Sequence, residues 1–84
     1  MIFPDAPVTL TPEQIVQFNQ HLSQVRHDIN GSLANLAAVG ELIRLRPETA
    51  GKYADQLTTQ PQRIAALIRQ FSAEWEALAG IKRE

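Results

Sequence analysis

Cysteine is absent from the 84 residues, so the chain forms no disulfide and offers no thiolate ligand for a zinc site. Charge of either sign is not in excess, because eight basic and nine acidic residues give a formal net charge of −1 at pH 7. This balance gives no electrostatic reason to expect a nucleic acid or an anionic membrane as a partner.

Long apolar runs are also missing, and none approaches the roughly 20 residues that a membrane-spanning helix needs. The first residues lack the basic segment and apolar core of a signal peptide, so we expect a cytoplasmic protein. The four glycines stand apart at positions 31, 40, 51 and 80, and none belongs to a glycine-rich phosphate loop. A chain of this length therefore has neither the motif nor the room for a nucleotide-binding domain.

The start of a first helix is signalled by a full set of N-terminal residues. Thr11 suits the N-cap, Pro12 the first helical position and Gln14 the last position of a capping box. The helical pattern then continues until Pro47 restricts the residue before it, which predicts one helix over residues 12–45. Residues 1–10 contain two prolines and no helical period, so they are expected to form an extended arm.

Apolar residues recur along this helix at steps of three and four: Ile15, Phe18, Leu22, Val25, Ile29, Leu33, Leu36, Gly40 and Ile43. A four-residue insertion in the heptad pattern at Ile29 to Leu33 is a stutter, which predicts a local unwinding of coiled-coil packing. A second series continues without interruption: Ala50, Ala54, Leu57, Pro61, Ile64, Ile68, Phe71, Trp75 and Leu78.

The second series keeps its phase across Pro61, which favours a kinked but continuous helix. The alternative is a fresh helix start at Pro61, capped by Thr58 and Thr59. Gly80 predicts the C-terminal end of the helix, and residues 81–84 are expected to form a loose tail.

Two long amphipathic helices joined at Pro47 predict an antiparallel hairpin over residues 11–80. A single hairpin would leave half of each apolar stripe in water, including Phe71 and Trp75. A chain this short and without disulfides commonly gains stability by association. We therefore predict an all-α hairpin that dimerises with a second copy into a four-helix bundle.

The candidate site lies in residues 26–38 of the first helix. With Leu22 and Val25 at core positions of a heptad, His27 falls on the outer face of the helix. Three small residues come next on that face: Gly31, Ala34 and Ala38. Because glycine costs about 1 kcal/mol relative to alanine inside a helix, Gly31 indicates a close approach by another surface.

An exposed histidine on a helix is ordinarily only a surface residue. His21 lies beside the seam without an acidic residue at useful spacing, so it is interpreted as structural. A zinc site at His27 would need ligands three or four residues away, where Asn30 and Gly31 stand, so no metal site is expected.

This segment resembles the phosphoacceptor helices of two-component signalling proteins. It shares with the H-box of histidine kinase dimerisation domains His27, Asp28, Ile29 and Leu33. It shares with histidine phosphotransfer domains an apolar residue, a Gly-Ser pair and three further positions: Ile29, Gly31, Ser32, Ala34, Asn35 and Leu36. Gly31 and Ser32 stand where kinase H-boxes usually carry asparagine or threonine and often a proline, which argues against phosphatase activity.

The resemblance implies that His27 accepts a phosphoryl group and passes it to an aspartate of a response-regulator receiver domain. Neutral imidazole is a suitable nucleophile at neutral pH. Asp28 would orient the imidazole, unless it is only a solvated surface charge. The implied partner-binding residues are Arg26, Asn30, Gly31, Ala34 and Asn35. A separate histidine kinase would supply the phosphoryl group, and the partner would bring Mg²⁺, since no cofactor is expected on this chain.

Two other interpretations stay open at the level of sequence. In the first, the hairpin is a catalytically silent dimeric adaptor that binds and modulates a kinase or response regulator. Alternatively, it is a dimerisation module in which His27 has no role.

Overall fold

The computed structural model describes residues 1–82 and contains two long helices. Helix α1 spans Pro12–Leu45, a short 3₁₀ helix spans Pro47–Thr49, and helix α2 spans Ala50–Ala79. The two α-helices pack against each other as an antiparallel hairpin. The predicted all-α hairpin and the predicted bounds of the first helix are therefore confirmed.

The N-terminus of α1 forms the capping box that its sequence predicts. The Gln14 backbone N–H donates to Thr11 Oγ1 at 3.1 Å, and the Thr11 backbone N–H donates to Gln14 Oε1 at 2.8 Å. In the last turns of α1 the Arg44 guanidinium donates to both carboxylate oxygens of Glu41, which lowers the pKa of that carboxyl group and raises the pKa of Arg44. Arg46 then leaves the helical region, with φ −138°, just before Pro47.

Helix α2 continues through Pro61 without a break. The Thr58 hydroxyl donates to the Ala54 carbonyl at 3.0 Å, one turn back along the same helix. This bond is typical of a threonine inside a helix, so the alternative of a new helix capped by Thr58 and Thr59 is wrong. Gly80 ends α2 in the left-handed conformation with φ 70°, as predicted, and the Ile81 N–H donates to the Glu76 carbonyl at 2.9 Å.

The N-terminal arm crosses the end of α2. Ile2 and Lys82 form an isolated antiparallel bridge. The Ile2 N–H donates to the Lys82 carbonyl with an N···O distance of 2.5 Å, and the Lys82 N–H donates to the Ile2 carbonyl at 2.7 Å. A Cβ atom at Gly80 would lie 3.8 Å from side-chain carbons of Pro4 and Val8, so the arm also touches the helix end. The predicted loose tail is thus wrong for residues 81–82, which are held by backbone hydrogen bonds, while residues 83–84 lie outside the described part.

The contact seam of α1 differs from the predicted one. The half-buried or buried side chains at heptad spacing are Phe18, Leu22, Val25, Ile29, Ser32, Leu36, Val39 and Ile43. Ser32 and Val39 are the most buried, at 5% and 2% exposure, whereas Leu33 is 51% exposed and Gly40 is also exposed. The predicted stutter is therefore wrong, because the seam passes through the small polar Ser32 and keeps an unbroken heptad.

The predicted apolar series of α2 divides between two faces. The half-buried side chains include Tyr53, Gln56, Gln60, Ile64, Leu67, Phe71 and Leu78. Members of the predicted series between them are exposed: Ala54, Leu57, Pro61, Ile68 and Trp75. Glutamines thus replace apolar residues on part of the inner face, which puts a polar layer in the middle of the hairpin.

Contacts near the open end of the hairpin join the two helices. The Phe18 ring lies 4.9 Å from the Phe71 ring and 5.8 Å from the Trp75 ring, at the separations that aromatic pairs prefer. Phe71 is therefore partly covered within one chain, contrary to the expectation that it is left in water. His21 Nδ1 lies 2.5 Å from Glu74 Oε1, so the acidic neighbour that the sequence did not indicate comes from the other helix.

The hairpin leaves much apolar surface uncovered. Its accessible surface is 6424 Å², whereas a compact monomer of 9.4 kDa exposes about 5,000 Å². Its radius of gyration is 18.1 Å, against about 12 Å for a compact domain of this length. Leu57, Ile68 and Trp75 of α2 are each exposed by 44–50%. Within residues 1–82, neither helix has the length and hydropathy of a membrane span.

Candidate functional site

His27 is exposed near the middle of α1, at the edge of a groove between the two helices. The groove has a volume of about 200 Å³. It is lined by His27, Asp28, Gly31, Ser32, Asn35, Gln60 and Arg63. The α1 residues share one flank because they recur at steps of three and four along the helix.

The lining combines one imidazole with several hydrogen-bonding groups and one residue without a side chain. Ser32 is buried, Asn35 and Gln60 are half-buried, and Arg63 is exposed. Asp28 is the only carboxylate among the residues that line this groove. Such a mixture of a guanidinium, amides and a hydroxyl is suited to a small oxyanion rather than to an apolar ligand.

The structure brings together four of the residues predicted for the site: His27, Asp28, Gly31 and Asn35. The other three, Arg26, Asn30 and Ala34, are exposed but do not line the groove. Arg26 Nη2 instead donates to Ser23 Oγ at 3.3 Å on its own helix. These three residues therefore lie near His27 without sharing its groove.

Asp28 is engaged by a neighbour other than His27. Its Oδ1 accepts a hydrogen bond of 2.9 Å from Gln24 Nε2, one turn earlier on α1. No hydrogen bond joins Asp28 to the His27 ring in the part of the chain that the structure describes, because consecutive side chains on a helix point about 100° apart. The expected role of Asp28 in orienting the imidazole is therefore not visible in this arrangement.

Gly31 has open space around it. A Cβ atom built at this position would meet no heavy atom within 4 Å, and the same holds for Gly40 and Gly51. Packing within the hairpin therefore does not require glycine at position 31. Any close approach that requires it must come from another molecule or from a group attached to the groove.

Gln60 and Arg63 are site residues that sequence reasoning missed. Both belong to α2 and reach the groove across the hairpin. The signal in the sequence was a second register of α2, in which Gln56, Gln60 and Arg63 succeed one another at steps of four and three. The search for apolar periodicity did not detect this register, because it selected the apolar residues Pro61 and Ile64 in the same turns.

A second groove continues along the same flank of the hairpin. It has a volume of about 230 Å³ and is lined by His21, Gln24, Val25, Asp28, Leu67, Gln70, Phe71 and Glu74. Asp28 lines both grooves, so the polar flank extends from Arg63 to the His21–Glu74 pair. Within residues 1–82, no three histidine, aspartate or glutamate side chains are close enough to hold a metal ion.

Comparison with protein-family models, with curated proteins and with solved structures finds no match to this chain. The residues of the groove and their chemistry are therefore the basis of the function proposed below.

Proposed function

We propose that this chain is a histidine phosphotransfer protein of two-component type. His27 accepts a phosphoryl group from a separate histidine kinase and transfers it to the aspartate of a response-regulator receiver domain. The observation that carries the proposal is the placement of His27, exposed at mid-helix on the edge of a polar groove that Gly31 leaves open. A folded partner can reach a histidine in that position without unfolding the hairpin.

The two transfer steps have a simple chemical balance. A ring nitrogen of neutral His27 attacks the phosphorus of the kinase phosphohistidine, and a new N–P bond forms as the N–P bond to the kinase breaks. A carboxylate oxygen of the receiver aspartate then attacks the same phosphorus. The new O–P bond forms as the His27 N–P bond breaks, and the electron pair returns to the ring. The second ring nitrogen keeps its proton, so His27 leaves as neutral imidazole.

The partner supplies what this chain lacks for the second step. Phosphoryl transfer depends mostly on positioning and on neutralising charge at the transferred oxygens. The receiver domain brings Mg²⁺ and the accepting aspartate, while the hairpin presents the phosphorylated imidazole on a rigid helix. This division of tasks suits a chain with no nucleotide-binding motif.

Two copies of the hairpin pair into a four-helix bundle in this proposal. The accessible surface exceeds that of a compact monomer by about 1,400 Å², and a standard protein interface buries about 800 Å² on each partner. Leu57, Ile68 and Trp75 lie on one face of α2 and line neither the His27 groove nor its continuation. Pairing through that face covers apolar surface and leaves His27 accessible.

The experiment that tests the proposal is phosphoryl transfer from receiver domains charged with acetyl phosphate and from candidate kinases supplied with ATP. We expect one acid-labile phosphoryl group on each chain, since the N–P bond of phosphohistidine is hydrolysed in acid. Absence of labelling with every cognate kinase and receiver would contradict the proposal. It would favour the silent adaptor, which binds the same partners without accepting phosphate.

Two substitutions of Gly31 should change the free energy of unfolding and the rate of transfer independently. We expect Gly31→Ala to raise the free energy of unfolding by about 0.5–1 kcal/mol, since alanine is the better helix former and nothing blocks its Cβ. Gly31→Leu fills the groove edge and should lower the rate of transfer about tenfold or more. Thermal unfolding and rapid-quench transfer assays measure the two effects.

Gly51 is the matched control for Gly31, because its added Cβ also meets nothing within 4 Å. Gly51→Ala should stabilise α2 by less, since Gly51 is only the second residue of that helix, and Gly51→Leu should leave the transfer rate unchanged. Equal transfer by wild type and Gly31→Leu would show that no partner approaches this part of the groove.

A further inference from the structure

We infer that Arg63 and Gln60 of α2, together with Asn35 of α1, form a binding site for the phosphoryl group that His27 carries. This inference rests on the proposed function of His27 and adds residues from the second helix. The ligand class is a tetrahedral phosphate oxyanion, whether attached to the imidazole or free in solution.

Arg63 is free to bind such a group. It is exposed beside the groove, and its guanidinium takes part in no ion pair or side-chain hydrogen bond within residues 1–82. Arg26 and Arg44, by contrast, donate to side chains of their own helix. An unengaged guanidinium offers two parallel N–H donors, which match the spacing of phosphate oxygens.

The neutral lining groups add hydrogen-bond donors, and Asp28 is the one lining residue whose charge opposes an anion. The amides of Asn35 and Gln60 and the hydroxyl of Ser32 all line the same groove. Asp28 supplies the only carboxylate of the lining, and its Oδ1 already accepts from Gln24. A phosphorylated side chain carries a charge of about −1.5 to −2. The positive guanidinium neutralises part of this charge, whereas the neutral amides only donate hydrogen bonds to the phosphate oxygens.

The groove also has the required space. Its volume of about 200 Å³ is many times the roughly 10–15 Å³ that one water molecule requires by the same measure. Gly31 leaves the groove edge beside His27 free, since a Cβ there would touch nothing within 4 Å. A phosphoryl group attached to the imidazole therefore has open space in the groove that Arg63 also lines.

The first experiment measures phosphate binding without any transfer. Inorganic phosphate is titrated into the unphosphorylated protein, and NMR monitors the backbone amides of residues 31–35 and 60–63. We expect these amides to shift in the wild type and the apparent affinity to fall about tenfold in Arg63→Gln. Arg69→Gln is the matched control, because Arg69 is another exposed arginine of α2 that lies outside the groove.

The second experiment measures the rate of His27 phosphorylation in the same variants. We expect Arg63→Gln to be labelled about tenfold more slowly than Arg69→Gln, with Arg63→Lys in between because lysine keeps the charge but loses the two-pronged geometry. Circular dichroism spectra that match the wild type confirm that the variants remain folded.

The two experiments separate the inference from the function on which it rests. Labelling of His27 at equal rates in Arg63→Gln and Arg69→Gln would overturn the phosphoryl site and leave the phosphotransfer function standing. If the wild type accepts no phosphoryl group, the titration still shows whether the groove binds phosphate through Arg63. Equal titration curves for the two variants would overturn the inference by themselves.

Discussion

Ile68→Glu is expected to separate the proposed dimer and to unfold most of the chain at 25 °C. Ile68 is half exposed in the single hairpin, between Leu57 and Trp75 on the face of α2 that the proposed bundle covers. A glutamate there places two symmetry-related carboxylates in an apolar interface, where burial of an unpaired charge costs several kcal/mol. The loss of isoleucine burial removes about 1.5–3 kcal/mol for each chain in addition.

The single hairpin buries few side chains of its own. Among the described residues only Val39 and Ser32 are buried, and Ser32 is polar. A layer of two helices, only 13 Å thick in its shortest dimension, encloses no separate core. Folding and dimerisation should therefore be coupled, and the midpoint of thermal unfolding should rise with protein concentration.

Light scattering and circular dichroism measure the effect of Ile68→Glu. We expect the mass to fall from that of two 9.4 kDa chains to that of one, together with loss of most of the helical signal. Ala77→Glu is the matched control, since Ala77 is exposed on the same helix and lies about 180° around the helix axis from Ile68. An Ile68→Glu protein that stays dimeric and helical would show that the chains do not pair through this face.

His27→Ala is expected to lower phosphoryl labelling by at least about 10³-fold, to the background of the assay. The proposed acceptor is then missing, and no other histidine lines this groove. The fold should be unaffected because His27 is exposed, so unfolding and dimer mass serve as internal checks.

His21→Ala is the matched control for His27→Ala. His21 lies on the same helix, but its Nδ1 is paired with Glu74 rather than open to a partner. The pair is solvent-exposed, so its loss should cost less than about 1 kcal/mol of stability and leave labelling unchanged. Labelling that persists in His27→Ala would place the acceptor elsewhere and contradict the proposed function.

Local signals in the sequence predicted the helices well. The capping box at Thr11 and the restriction imposed by Pro47 depend only on neighbouring residues, and they gave both ends of α1 correctly. Gly80 marked the end of α2 for the same reason. Pro61 was accommodated inside α2, as the continuous apolar phase indicated.

The register between the helices could not be predicted in the same way. Apolar periodicity selected Leu33, but the seam passes through Ser32, because a small hydroxyl can occupy an inner position beside a polar layer. The same effect hid Gln60 and Arg63, whose place in the site depends on how α2 lies against α1. The His21–Glu74 pair and the Ile2–Lys82 bridge join residues far apart in the chain, which no local pattern reveals.

The position of the phosphoryl group on the labelled wild-type chain tests the central claim most directly. After transfer, the protein is digested at neutral to basic pH, which preserves N–P bonds, and the modified peptide is sequenced by tandem mass spectrometry. We predict a phosphoryl group on a ring nitrogen of His27 and on no other residue. A phosphoryl group on His21, or an unmodified His27 after incubation with every cognate kinase and receiver, would contradict the account.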